Sequence, residues 1–254
     1  MKMKKLLSGL LVAVMVASMA VTAIPAYASD TQTIAVQPFQ TSSRYDIGIA
    51  ADNVRLGWKL EASQRGMKQK AYHVVVKDAA GNTAWDSGWV ESPDQTGVCP
   101  QNFKPETVYF WQVNIRDEQN NESGMSEVKS FETAPAQLDG QWIGGGAQIV
   151  KTSFTLDQDL SQVDRARAYV GSTSLVETRM NGQKVGELVL APKKPVPDVR
   201  VFYNTHDVLP YLQNGQNTVG IMLGNVTPLG GKAIGMVKIY YKDGSCLLYT
   251  SRCV

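Results

Sequence analysis

The sequence predicts an all-β protein: two consecutive antiparallel β-sandwiches that follow a cleaved signal peptide. Three observations carry this prediction. After residue 30, apolar residues alternate with polar ones at period two, and no stretch repeats them at helical spacing for three turns. The runs are short and separated by Gly, Pro, Asn and Asp, the punctuation of antiparallel strands. Midway, "FETAPAQLDG" sets Pro135 and Gly140 in a short linker that divides the chain in two.

At the N-terminus, Lys2, Lys4 and Lys5 precede an apolar run from Leu6 to Val21, and Pro25-Ala26-Tyr27-Ala28 supplies an A-x-A cleavage pattern. Residues 1–28 therefore read as a signal peptide with a mature terminus at Ser29, which predicts a secreted or extracytoplasmic protein. The run is near the lower length limit for a membrane span, but its flanks are those of a signal, so no membrane association is expected after cleavage. The signal holds three of the 25 Lys and Arg and none of the 23 Asp and Glu, so the remainder carries 22 against 23, or −1. A surface this close to neutral gives no reason to expect a nucleic-acid partner. Only Cys99 lies outside the last nine residues, so the body must be stable through its core and not through disulfides.

Residues 29–47 form a lead-in, and the first domain spans 48–135. In "VRLGWKL", Val54, Leu56, Trp58 and Leu60 share a face opposite Arg55 and Lys59; in "VYFWQVNIR", Tyr109, Trp111, Val113 and Ile115 do the same. Between them, "AYHVVVKD" and "AWDSGWV" are joined by a Gly81-Asn82 turn. Half-buried strands of this kind make a sandwich. The second domain spans 140–245. "LVETRMNGQKVGELVL" is a hairpin about Asn181-Gly182, "NTVGIML" and "AIGMVKIYY" are further strands, and "LPYLQNGQN" is a short helical turn ended by Asn214-Gly215.

Phe103-x-Pro105-x-Thr107-x-Tyr109 resembles the run into the sixth strand of fibronectin type III domains, where the tyrosine makes a corner hydrogen bond. The combination of Arg65-Gly66, Gln69, Ala71-Tyr72, Trp85-Asp86-Ser87-Gly88, Tyr109, Trp111 and Asp117 resembles the N-terminal domain of secreted bacterial α-L-rhamnosidases over residues 48 to 134. Trp142-Ile143-Gly144, Asn181-Gly182, Val185-Gly186, Val189 to Pro192, Tyr203-x-Thr205-x-Asp207-Val208 and Gly220 to Asn225 resemble the sandwich that follows in that family. The resemblance implies a fibronectin type III-like domain, then a jelly-roll or carbohydrate-binding-module-like one. It departs at Ser174-Leu175, where the family has an aromatic pair, and after "LAP" and "LGN", where the family's Trp-containing segments are missing.

In that family, removal of terminal α-L-rhamnose is carried out with inversion by two carboxylic acids on an (α/α) barrel. This sequence has no amphipathic helices from which to build one, so the resemblance implies a non-catalytic front part, with no catalytic residues, whose sandwiches support a barrel elsewhere in the same polypeptide. Rhamnose-containing glycans or glycosides would be partners through the whole protein. The alternative is a stand-alone extracellular carbohydrate-binding or adhesion module.

Other chemistry fails on spacing. His73 and His206 have no His or Cys at metal-ligand spacing and read as a strand residue and a surface turn residue. "GGGAQIVKTS" lacks the order of a phosphate loop, and Ser87 lacks a nucleophile elbow. Cys99, alone, reads as a small core residue. Relatives of the second module bind rhamnose through calcium at loop ends, which the resemblance transfers to Glu187 and Asn225 as candidate carbohydrate or calcium ligands. The plain reading of those two is a solvated strand residue and a turn cap.

After "KIYYKDGS" a returning strand is due, and Cys246 to Ser251 could supply it by composition. That hexapeptide is also a codon-by-codon translation of a transposase end used in sequencing adaptors, so residues 246–254 are expected to be a non-native tail.

Overall fold

The computed structural model describes residues 34–40, 45–63, 65–193, 196, 199–224 and 231–252. The signal-peptide region, Asn225 and Cys253 lie outside these. The first sandwich contains β1 (Ile34–Gln40), β2 (Leu56–Ala62), β3 (Gln69–Asp78), β4 (Thr83–Glu91), β5 (Val108–Asp117) and β6 (Lys129–Glu132). β1 pairs with β2, and the facing sheet has the order β4-β3-β5-β6. Alternation decides which side chains meet between the sheets: Leu56, Trp58, Val76, Trp111, Val113 and Ile115 are all but sealed from solvent. The lead-in is more than a linker, because residues 34–40 pair with all of β2.

Motif residues of this domain have structural work. The Tyr109 hydroxyl accepts a hydrogen bond from the Lys104 amide at 2.9 Å, which is the expected corner. Buried Gln69 accepts from Trp58 Nε1 at 2.8 Å and donates to the Ser92 and Asp94 carbonyls. Asp86 accepts from the Gly88 amide and meets His73 Nε2, each at 2.7 Å, where the register of β3 against β4 shifts. The Gly88 amide, then the His73 contact, holds the Asp86 carboxyl below its ordinary range. Asp117 takes the Gln119 and Asn121 amides on Oδ1 and so folds the following turn.

The second sandwich contains β7 (Ile143–Gly144), β8 (Ile149–Thr155), β9 (Val163–Ser172), β10 (Leu175–Met180), β11 (Gln183–Lys184), β12 (Tyr203–Asp207), β13 (Gln216–Gly224), β14 (Lys232–Tyr241) and β15 (Cys246–Thr250). One sheet has the order β11-β10-β13-β8; the other runs β12-β9-β14-β15, with β7 also on β14. Asn181 and Gly182 both adopt positive φ, 50° and 81°, as a two-residue hairpin turn requires. Residues 209–211 form the predicted helical turn, a single turn of 3-10 helix. No helix among the described residues is long and apolar enough to cross a membrane.

Residues 246–250 pair with β14, Leu247 and Tyr249 pack on the core, and the Tyr249 hydroxyl donates to the Thr155 carbonyl at 2.8 Å. The stretch expected as a foreign tail thus occupies the place of the returning strand.

Candidate functional site

The two sandwiches meet on the outer face of the second domain's β12-β9-β14-β15 sheet. In β9 the small residues Ala166 and Ala168 point into their own core, so alternation sends Arg165, Arg167 and Tyr169 to the other face. Their cross-strand partners there are Tyr240, Lys238 and Met236 on β14, with Asp207 opposite Arg167 on β12. The first domain answers with two acids. Glu132, 2 % exposed, accepts from Arg167 Nε at 2.9 Å and Nη2 at 2.7 Å, and lies 3.5 Å from Arg165 Nε. Glu106 accepts from Lys238 Nζ at 2.6 Å and from the Tyr240 hydroxyl at 3.0 Å. The Arg165 guanidinium lies 3.8 Å over the Tyr240 ring. Burial, then the neighbouring Tyr169 and Glu106, raises the Tyr240 phenol above its ordinary range. Gly48 lies so close to β12 that a Cβ there would overlap the Thr205 hydroxyl.

Beside this interface the same edge strand opens into a cleft of about 270 Å³. Tyr45 and Ile47 of the lead-in form one wall, Val185 to Leu188 the other, and Thr205 to Asp207, Pro210 and Tyr211 close it. Gly186 has φ 70°, and a Cβ on it would stand 3.4 Å from His206 Nδ1, so the loop backbone passes closely over that ring. The Gly186 amide donates to the Tyr211 hydroxyl at 3.3 Å. Asp207 Oδ1 accepts from Arg167 Nη1 at 2.9 Å and from the Leu209 amide at 3.2 Å. No Lys or Arg lines the cleft.

Of the sequence-predicted ligands, Glu187 is exposed and lines this cleft, with no ion pair or side-chain hydrogen bond among the described residues; Asn225 is outside them. Among the described residues no three His, Cys, Asp or Glu side chains gather as a metal would require. Glu187 offers one carboxylate to the cleft, and Asp207, which also lines it, is bound to Arg167.

Three plain readings change. His206 is no surface turn residue: it is buried on β12, 9 % exposed, and burial depresses its pKa to about 4. Cys99 is exposed, with its thiol donating to the Gly97 carbonyl at 3.0 Å and accepting from Arg55 Nη1 at 3.3 Å. Ser87 is no turn residue: it lies within β4 where the pairing with β3 shifts register, its hydroxyl accepting from the Val74 amide and donating to the Gly88 carbonyl. The interface residues were missed altogether, although "DRARAYV" carries a signal for them. A strand that alternates Arg-Ala-Arg-Ala-Tyr has two faces, and both need a partner.

Comparison with known proteins agrees with this architecture. Residues 40–137 match the family described as Rha78A-like, N-terminal immunoglobulin domain, and residues 161–249 match the Alpha-L-rhamnosidase N-terminal domain. The second match runs four residues past Ser245, into the stretch expected to be a non-native tail. An Alpha-L-rhamnosidase of Formosa agariphila is 27 % identical over 239 residues, covering 74 % of this chain and 25 % of the relative. The alpha-L-rhamnosidase from Dictyoglumus thermophilum superposes with a TM-score of 0.73 at 25 % identity, over 85 % of this chain and 28 % of that one. The Streptomyces avermitilis alpha-L-rhamnosidase complexed with L-rhamnose shares the fold at a TM-score of 0.71 and 17 % identity, over 87 % of this chain and 40 % of that one. The chain spans about a quarter of the length of the curated relatives it matches. Both sandwiches, in sequence and in their order along the chain, are those of the N-terminal region of the α-L-rhamnosidases.

Proposed function

We propose that this chain is the non-catalytic N-terminal region of a secreted α-L-rhamnosidase, which removes terminal α-L-rhamnose from glycans or glycosides. The observation that carries this reading is the succession of the two matched domains in a chain that aligns with a quarter of the length of an Alpha-L-rhamnosidase. The chain's own part is mechanical. The described residues contain strands and two single turns of 3-10 helix, which cannot form an (α/α) barrel. What they form is a two-domain bracket held by Glu132 and Glu106 against Arg167 and Lys238. A bracket of this kind fixes the orientation of whatever is attached to it. Secretion rests on the signal-like residues 1–28.

The test is the longer gene product. If the reading frame continues past residue 245 into several hundred helical residues, that product should cleave an aryl α-L-rhamnoside; a folded barrel that leaves the substrate intact overturns the assignment. The second reading, a stand-alone carbohydrate-binding or adhesion module, is favoured by the cleft beside Glu187. A genuine stop codon near residue 245 would select it.

A further inference from the structure

We propose that the junction between the two sandwiches is a reversible hinge and that Glu106 is its latch, a carboxylate held at a backbone position that suits glycine. The proposal goes beyond the assignment above, because it concerns the bracket itself, whichever protein the chain belongs to.

The backbone at Glu106 has a φ of 53°, in the left-handed region. Five non-glycine residues among those described lie at positive φ, and three of them are asparagines, which visit this region readily. Glutamate does not, because its Cβ crowds the following carbonyl oxygen there. Such a conformation persists only where its surroundings hold it, and it points to a function. The hold is local. The Glu106 amide donates to the Ala134 carbonyl at 3.1 Å, and the Thr107 amide donates to the Thr133 hydroxyl at 2.9 Å, so the segment after β6 shapes the turn.

The gain lies across the junction. The Glu106 carboxylate accepts from Lys238 Nζ at 2.6 Å on each oxygen and from the Tyr240 hydroxyl at 3.0 Å. Its backbone carbonyl accepts from Arg165 Nη2 at 3.1 Å. Every acceptor of this one residue is thus engaged by the second sandwich. Glycine would relax the turn but would keep only the carbonyl.

The rest of the junction leaves docking in balance. None of the three apolar clusters includes residues of both sandwiches, and domains that share no large apolar interface move relative to one another. The attraction is between charges, Glu106 and Glu132 of the first sandwich against Lys238, Arg165 and Arg167 of the second. Against it stand two buried atoms, Arg165 Nε and Glu132 Oε1, which lie 3.5 Å apart and make no hydrogen bond. Opening gives both of them to water, which satisfies what the docked state leaves unmet. The docked state fixes the orientation of the sandwiches, and the latch sets how much of the time they are docked.

The test reads domain orientation and first-domain stability separately. Spin labels are placed on Cys99 of the first sandwich and on Gln183→Cys of the second, both exposed positions, in a parent chain that also carries Cys246→Ser and Cys253→Ser. Pulsed dipolar spectroscopy should give one narrow distance distribution for this parent. Glu106→Gln keeps the strained backbone and removes the charge, whereas Glu106→Gly removes both. Each should add a broad second population, raising the ratio of open to docked molecules at least about tenfold, the least that a lost hydrogen bond to a charged group implies. Four of the five tryptophans, Trp58, Trp85, Trp89 and Trp111, lie in the first sandwich, so tryptophan fluorescence follows its unfolding. By that signal Glu106→Gly should melt at a higher temperature than Glu106→Gln, because only glycine relieves the turn. Three outcomes overturn the proposal: a broad distribution already in the parent, a single narrow distribution in both variants, or a Glu106→Gly midpoint at or below that of Glu106→Gln. Neither readout involves rhamnoside hydrolysis, so the result stands apart from the enzyme assignment.

Discussion

The Tyr109 hydroxyl closes the loop before β5 by accepting one amide hydrogen, from Lys104, while its ring packs between Phe103 and Phe131. Tyr109→Phe keeps the ring and leaves a part-buried amide without its acceptor, so denaturant unfolding should show a loss of about 1 kcal/mol. That residue was legible in the sequence because it serves a local motif, Phe-x-Pro-x-Thr-x-Tyr, whose spacing is visible. His206 was illegible, because nothing near it in sequence announces that the loop at Gly186 will cover it. Its burial has a pH consequence. In the unfolded chain the imidazole protonates near its ordinary value of about 6.5, whereas in the folded protein its pKa lies at about 4. The unfolded state therefore binds more protons between those values. Stability is full above the upper one and falls as pH drops toward the lower, by about 3 kcal/mol for the whole interval. Denaturation at pH 7 and at pH 4.5 should show a loss in the wild type that is clearly larger than in His206→Gln, since the carboxylates that also titrate there are common to both. Equal losses would mean that the ring protonates freely in the folded protein.

Among the elements, those with strict alternation were read correctly. β2, β3, β5, β13 and β14 each place apolar side chains on one face, and their cross-strand pairs follow from that face. The hairpin of β10 and β11 was legible from two residues. Asn181 also ties the turn to the body, donating to the Tyr211 carbonyl and accepting from the Thr218 amide. Gly182 stands in open space at φ 81°, so Gly182→Ala meets no neighbour and tests the backbone alone. It should cost about 1–2 kcal/mol, the penalty for an L-residue in the left-handed region, read as a lower unfolding midpoint. What the sequence hid were edge strands. β1 and β12 pair along one side only, so their side chains need no clean apolar face; "IAVQPFQ" contains a proline and "YNTHD" is polar. β15 illustrates the same physics from the other direction. An unpaired edge of β14 accepts a segment that follows the Asp243-Gly244 turn and alternates Leu247 and Tyr249 inward, because the ladder is made by backbone groups that every residue carries. Its occupation by residues 246–250 is therefore compatible with either origin of that segment.

At the scale of the whole molecule, the question is whether the two sandwiches behave as one body, and the magnitudes of two ion pairs decide where to look. Arg116 and Glu122 on the first domain's surface have side chains 32 % and 44 % exposed, a setting in which a pair contributes at most about 1 kcal/mol. Glu132 and Arg167 have side chains 2 % and 11 % exposed, and Arg167 carries Asp207 as well. Removing one partner of a buried pair leaves the other charge desolvated, at a cost of about 3–5 kcal/mol. Glu132→Ala should therefore destabilise far more than Glu122→Ala. Because Glu132 ends β6 of one sandwich and Arg167 lies in the middle of β9 of the other, the loss should appear as uncoupling: a single unfolding transition in the wild type that broadens or divides in the variant. A double-mutant cycle sharpens the test. Combining Glu132→Ala with Arg167→Ala removes both charges, so the double variant should be less damaged than the two single losses added together, with a coupling above about 1 kcal/mol. Simple additivity, with an undivided transition in every variant, would show that the Glu106–Lys238 contact and the packing of Gly48 on Thr205 hold the junction without this pair.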